Sequence, residues 1–486
     1  MGICSPQDTE RAQLGVRVQS TAGTAETLTA KDFKTKVMSG ITPEYTNEKE
    51  ARDLVTSSRS PIDSIQGKRS LALAFTSELN TPDTFNIAAT ASMDIESQVW
   101  QSDYIMRITF NGTPDLSGVE DGDYLTVNYS SVASLNGTWL IIVVNDSSNY
   151  VDIIQPGATD ARDEPSGSPG IGDIQSPLEY QAAINASGCE VMGASRIKIG
   201  AVTDGPFVVD EVITGHISGS TGRCLLPTAN GDAYIYYEPT SLTAMAGADN
   251  VAGATSGASG AAGNLSPEVH GYFVRPKSDC SAVATIEYQE DGFAWSARDA
   301  VGNFSLTIPA SKQAMIEFAM QGPRSVIGTK ALTTGVTHYT EAPPISQNAG
   351  VTLDLTFEPV WSNITLDIGN NIVYRENGNV DDDTGYEGAR ISGKRAGKFS
   401  ITCEHELAAV YDFYAKLAAG TKIAVIGYIG DDQDVKQICY KIRYLELDEL
   451  PAGNIENLRT LDVTGTMTGA NMDSEDYEWE LVFLGN

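Results

Sequence analysis

Gly388-Ala-Arg-Ile-Ser-Gly393-Lys394 has the spacing of a phosphate-binding loop, in which backbone amides and a lysine surround the anion. Arg395 stands where such a loop needs Ser or Thr to bind magnesium. Residues 396–402 then alternate like a strand, whereas a phosphate loop must open a helix whose amides face the phosphates. A structural turn is the better reading. Asp381-Asp382-Asp383 and Asp431-Asp432-Gln433-Asp434 gather the hard oxygens calcium wants, but neither has the spacing of a calcium-binding loop. Solvated acidic turns account for both. His216, His270, His338 and His405 are far apart, and only His405 has acids beside it in a predicted helix. Gly257-Ala-Ser-Gly260 comes near a nucleophile elbow but lies in a flexible tract. No catalytic residue, cofactor site or metal ligand is assigned, and the chain reads as a protein without enzymatic activity.

The whole chain narrows the class further. Of 486 residues, 41% are hydrophobic, which is ample for packed cores and excludes a mostly disordered polypeptide. At about 150 residues per domain the length suggests about three domains. The formal charge of −32, from 32 basic and 64 acidic residues, excludes a general basic surface for gripping nucleic acid or anionic membrane. No apolar run is long enough to span a bilayer, and no charged-then-apolar leader opens the chain. Met1-Gly2-Ile3-Cys4-Ser5 resembles a myristoylation start, but Pro6 replaces the Ser or Thr required there. Cys4, Cys189, Cys224, Cys280, Cys403 and Cys439 are scattered and read as reduced, mostly buried thiols of a protein made in cytoplasm.

Residues 1–40 lack sustained periodicity and read as a loose arm. Leu71, Leu73 and Phe75 alternate with small residues in a strand. Several short strands separated by Asn-Gly and Asp-Gly turns form a small β module within 98–165, with 160–172 as its exit linker. A helix is predicted from Ser176, with Pro177 in its first turn, Glu179 at the capping-box position and Gly188 at its end. After more strands, residues 244–267 are Ala/Gly/Ser-rich and should form a long mobile loop. A second helix is predicted over Glu404–Leu417, with Leu407, Val410, Tyr411, Tyr414 and Leu417 on one face and Gly420 as the stop. Lys422–Ile429 and Gln437–Leu447 form a hairpin.

A repeat organises these pieces. Ile65–Glu78 lies on Ile391–Glu404 without a gap, matching Gly67, Lys68, Arg69, Thr76 and Glu78 to Gly393, Lys394, Arg395, Thr402 and Glu404. Both copies follow a charged stretch and lead toward a helix. The expected architecture is mainly β, a sandwich or barrel with one flanking helix per unit, duplicated in the chain. The boundaries are an arm at 1–40, a first unit at 41–97 and 173–345, an inserted β module at 98–172, and a second unit at 346–486.

The order of these pieces resembles the major tail tube proteins of long-tailed bacteriophages. The residues that carry it include Thr42-Pro-Glu-Tyr45, Arg59-Ser-Pro-Ile62, Ser176-Pro-Leu178, Ala284–Gly292, Val301–Leu306, Leu366–Asn370, Arg390–Arg395 and Tyr411-Asp-Phe-Tyr414. The resemblance implies a structural virion protein, assembled in the host cytoplasm, whose rings stack into a conduit for genome delivery. It implies self-association, contact with tape measure and tail terminator proteins, transient passage of DNA through an acidic lumen, and no membrane partner or cofactor. The competing reading is a tail or capsid decoration protein whose inserted module binds the host surface. Minimal tube proteins of this kind form six-fold rings, so a chain with two tube units needs three copies. Electron microscopy of single rings is expected to show three chains in pseudo-sixfold symmetry, and six chains would overturn the duplication.

Overall fold

A computed structural model describes residues 12–33, 36–38, 41–50, 63–80, 93–102, 105–112, 116, 119, 121–128, 137–154, 171–175, 178–199, 202–227, 234–240, 250–260, 267–278, 282–336, 338, 342–346, 349–354, 356–379, 384–430, 437–455, 457–469 and 478–484. The chain starts with β1 (Ala12–Val18), β2 (Glu44–Glu50) and the long β3 (Ile65–Glu78). Next come β4 (Met93–Ser102), β5 (Ile105–Phe110), β6 (Tyr124–Asn128), β7 (Gly137–Asn145), β8 (Tyr150–Ile154) and β9 (Ile171–Gln175). Helix α1 (Gln181–Ala186) leads into β10 (Cys189–Lys198). Six short strands follow: β11 (Val202–Thr203), β12 (Val212–Gly215), β13 (Thr221–Cys224), β14 (Tyr234–Pro239), β15 (Val251–Gly253) and β16 (Ser259–Gly260). Then come β17 (Pro267–Pro276), β18 (Ala284–Glu290), β19 (Phe293–Pro309) and β20 (Met315–Thr329). Five more precede the second helix: β21 (Val351–Leu353), β22 (Trp361–Asp367), β23 (Ile372–Glu376), β24 (Tyr386–Ile391) and β25 (Lys398–Glu404). Helix α2 (Phe413–Ala419), β26 (Ile423–Ile429), β27 (Gln437–Glu449), β28 (Ala452–Ile455), β29 (Leu458–Met467) and β30 (Trp479–Leu484) complete it.

Two antiparallel pairing paths enclose the main core. The first runs β2-β3-β20-β19-β22-β25-β29, and the second runs β14-β10-β17-β30-β27-β26-β21. β27 belongs to both, because Gln437–Ile442 pair with β30 while Leu445–Glu449 pair with β29. Along the first path alternate residues point inward, so Leu71, Leu73 and Phe75 are buried as their period of two predicts. Phe304 meets Trp479 edge-on at 5.7 Å, which joins the inner faces of the two paths. The second path is covered on both faces. Trp479–Leu484 are buried without a break, and Phe273, Cys439, Val482 and Leu484 form a separate cluster under Leu225 and Leu226. Strands β4 to β9 close into a barrel with its own core of Ile108, Leu125, Ile141 and Ile153. Lys31 holds it to the sandwich through Asp123 at 2.7 Å, and Arg17 does so through Asp121 at 2.9 Å.

Several local expectations give way to tertiary contacts. Part of the presumed loose arm is β1, whose Leu14, Val16 and Val18 are buried while its backbone pairs with β18. The first helix begins at Gln181, and Tyr180 at its N-cap makes no side-chain cap. Glu179 instead accepts a hydrogen bond from the Lys36 amide, so the capping-box carboxylate is already engaged, while Ser176 and Pro177 lie outside the described residues. The second helix begins at Phe413, capped by Asp412 onto the Ala415 amide at 2.9 Å, because Glu404 ends a strand and 405–412 form turns. Gly188 and Gly420 follow the helices with φ of 71° and 63°, a left-handed conformation that glycine adopts without a Cβ clash. Within the small-residue tract, 250–260 is ordered: the Glu211 carboxylate accepts from the Thr255 and Ser256 amides at 3.1 and 3.0 Å, and Val251 and Ala258 are buried. The Asp381 and Asp431 turns lie outside the described residues. Cys189, Cys224, Cys403 and Cys439 are buried thiols outside any disulfide.

The small-strand cluster is pinned to the second path by an ionic network. Arg223 donates to Glu480 at 2.6 Å and to Asp210 at 2.7 Å, Lys441 donates to Asp210 at 2.8 Å, and Lys441 also pairs with Glu480. Glu480 and Lys441 are only 1% and 2% exposed. Burial opposes ionisation of Glu480, but Lys441 and Arg223 outweigh it and hold the carboxyl well below its ordinary 4.5. Because the folded value is depressed, this stabilisation is complete above about pH 4.5 and is lost as pH falls toward the folded value. Glu480→Gln removes the most buried carboxylate facing Lys441 and Arg223, leaving them Asp210, and should cost about 3–5 kcal/mol at pH 7 in urea denaturation. The variant should also show a shallower loss of stability below pH 4.5 than the unmodified chain. An unchanged acid slope would show that the network does not carry it.

Candidate functional site

Among the described residues the outer face of the first path is bare and polar. One rung of register neighbours crosses seven strands: Thr76 faces Glu317, Glu317 faces Ser305, Ser305 faces Asp367, Asp367 faces Lys398, Lys398 faces Thr466, and Thr466 faces Glu446. The next rung runs Glu78, Met315, Thr307, Thr365, Ser400, Thr464 and Glu449. Period-two alternation puts these side chains outward because their neighbours Phe75, Phe304, Phe318, Leu366, Phe399 and Val463 are core. Cross-strand hydrogen bonds brace the surface: Thr365 and Ser400 hydroxyls lie 2.6 Å apart, and Thr402 donates to Asp462 at 2.7 Å.

The electrostatics are one-sided. Glu78, Glu317, Asp367, Glu404, Asp462, Glu446 and Asp448 point outward from these strands. Among the described outward positions of 72–78, 303–309, 315–321, 361–367, 398–404, 446–448 and 460–466, the one cation is Lys398. It is committed locally, donating to Asp448 and to the Thr466 hydroxyl at 2.8 Å each. An open concavity of about 350 Å³ beside Met38 and Ile41 is floored by Ala74, Thr76, Ser305, Glu317 and Ala319 and gathers no set of acid–base groups. Among the described residues no group of three or more His, Cys, Asp or Glu could hold a metal ion.

The repeat residues divide between two environments. Thr76, Glu78, Thr402 and Glu404 all lie on the bare face. The basic triplets are not equivalent. Gly67, Lys68 and Arg69 run inside β3, where Lys68 pairs with Glu376 and sits 5.8 Å over the Tyr386 ring. Gly393, Lys394 and Arg395 occupy the turn between β24 and β25, where Arg395 meets Glu478 at 3.2 Å. Sequence reasoning missed Ser305, Glu317, Asp367 and Thr464 as one surface. The available signal was the period-two recurrence of Ser, Thr, Asp and Glu between core residues.

A turn ties this face to α1. Asp367 accepts from the Gly369 amide and from Asn303 at 2.8 Å each, while the Asn370 amide donates to Asn303 at 2.9 Å. The Asn370 side chain donates to the carbonyls of Ser187 at 2.6 Å and Gly302 at 3.0 Å.

The sequence model of a family described as phage tail tube protein matches residues 9–467. No curated protein matches the chain. The matched span contains both rungs and the turn that ties them to α1. At that turn, Asn370→Ala should remove a donor from two carbonyls and cost about 1–3 kcal/mol in chemical denaturation. A change below about 0.5 kcal/mol would show that the turn does not anchor the face.

Proposed function

Because the chain belongs to the phage tail tube protein family, we propose that its bare face lines the DNA conduit and that three copies close each ring. A tail tube protein is a structural component of the phage tail, part of the passage for genome delivery, with no catalytic task. The observation that carries the lumen assignment is the seven-strand face with its outward acids and single committed cation. DNA held by a wall must exchange counterions at every phosphate contact, so a basic wall would retain its cargo. Carboxylates and hydroxyls offer no such contact, and the duplex slides.

Two features support a duplicated chain in a pseudo-sixfold ring. Each half runs strand, short helix, antiparallel strand pair, and a strand returning beside the first: β3, α1, β10 with β17, β20, then β25, α2, β26 with β27, β29. The halves also join edge to edge through β19 and β22, as neighbouring subunits of a ring would. On this reading the first unit is 41–97 with 173–345, less the ends of β4 and β9 at 93–97 and 173–175 that belong to the barrel, the second is 346–486, and the barrel is an insertion carried outside the wall. Assembly takes place in the host cytoplasm, with tape measure and terminator proteins at the inner bore and tube end.

Tubes of a Glu317→Lys, Asp367→Lys, Glu446→Lys variant test the lumen. They should bind short duplex DNA that unmodified tubes do not, with the logarithmic salt slope steepening by up to about 0.9 for each phosphate newly neutralised. Variant tubes that bind no more DNA than unmodified ones would remove this face from the lumen.

A further inference from the structure

Exposed apolar side chains gather at the two ends of the wall strands. Successive antiparallel pairings make β25 run parallel to β3, so Ile65 lies toward one end of the wall and Glu404 toward the other. Beyond the Glu404 end lie Val360, Leu407, Val410, Tyr414, Ile455 and Leu458. They are neighbours by register: the Glu404 amide donates to the Val360 carbonyl, the His405 amide to Arg459, the His405 ring meets Tyr414, and Ile455 faces Leu458. Leu407, on the apolar face that helical spacing picked out, is 76% exposed. At the Ile65 end, Tyr45, Ile65, Val326 and Val373 are exposed on or beside two projecting hairpins, β2-β3 and β23-β24. These ten are most of the fifteen large hydrophobic side chains exposed among the described residues.

We propose that the apolar end formed by 405–414 and the β28-β29 hairpin docks a second copy of this chain in the adjacent ring, at that copy's β2-β3 and β23-β24 hairpin end. The inference rests on the tube reading and adds which surfaces make the axial contact. Two different patches at opposite ends of the same strands form a head-to-tail contact, which propagates instead of closing. A six-residue patch would be an aggregation hazard in a chain that stayed single, and a docking surface in one that polymerises. The corresponding end of β3 is already filled, with Leu79 and Tyr180 buried. Among the described residues one chain therefore supplies one such patch.

Leu407→Glu should leave the far-ultraviolet spectrum and ring formation unchanged and shorten tubes at least tenfold in negative-stain images. A Leu407→Cys, Ile65→Cys double variant, treated with a short bis-maleimide after assembly, should give a denaturing-gel ladder that continues past three chains. Mixed single variants should stop at pairs. Full-length tubes from Leu407→Glu, a ladder ending at three chains, or tubes without cross-links would each overturn the docking while leaving the tube reading intact. An unmodified chain that forms no tubes would overturn the tube reading and the docking with it.

Discussion

The hydrogen-bonded register between Ser305–Pro309 and Asn363–Asp367 is the contact on which the rest of the molecule depends. Without it each half would end in a row of unpaired amides and carbonyls, the feature that makes open sheets aggregate. With it, β3, β20 and β19 continue into β22, β25 and β29 as one wall. The same device recurs behind the wall, where Gly271–Val274 pair with Leu481–Leu484. Two joints in two layers resist bending about either one, so the halves are held as a single element.

The two layers carry different tasks, and their burial follows. The wall keeps one face in water, so its strands alternate between aromatic or aliphatic core residues and short polar ones. The backing layer is covered on both sides, and its strands read as near-continuous apolar runs such as Trp479–Leu484. Glu480 interrupts that run, and only Lys441 and Arg223 make it tolerable there. The ion pair ties the small-strand cluster to the backing layer, since Arg223 reaches Glu480 from the register in which it faces Glu238 of β14.

What was legible in the sequence was local. Leu71, Leu73 and Phe75 announce a strand because the pleat repeats every two residues. Gly188 and Gly420 announce helix ends because few other residues take that backbone cheaply. Helix starts were harder, because Glu179 can bind either its own helix or the Lys36 amide, and the choice lies 143 residues away. The stripe of Leu407, Val410 and Tyr414 has helical spacing, but spacing says only that apolar groups share a side and not whether protein or solvent faces them. The wall itself spans Glu78 to Thr466 and depends on six registers that no local window contains. Matching Lys68 to Lys394 found a repeat in the sequence while hiding that one lies in a strand and the other in a turn.

The order of residues along the first rung shows how a wall can be acidic without destabilising itself. Like charges directly opposite on paired strands repel at about 4.8 Å. Here Thr76 and Ser305 flank Glu317, while Ser305 and Lys398 flank Asp367, so each acid faces a neutral or basic residue. Glu317 and Asp367 are therefore two strands apart, about 9.6 Å by strand spacing, where two charges in water interact by only about 0.4 kcal/mol. That distance is near the screening length at physiological salt, so each acid is nearly independent of the next. On the proposed lumen reading, a polyanion moving along this face would meet the acids one after another, each too weak to block it and all of one sign.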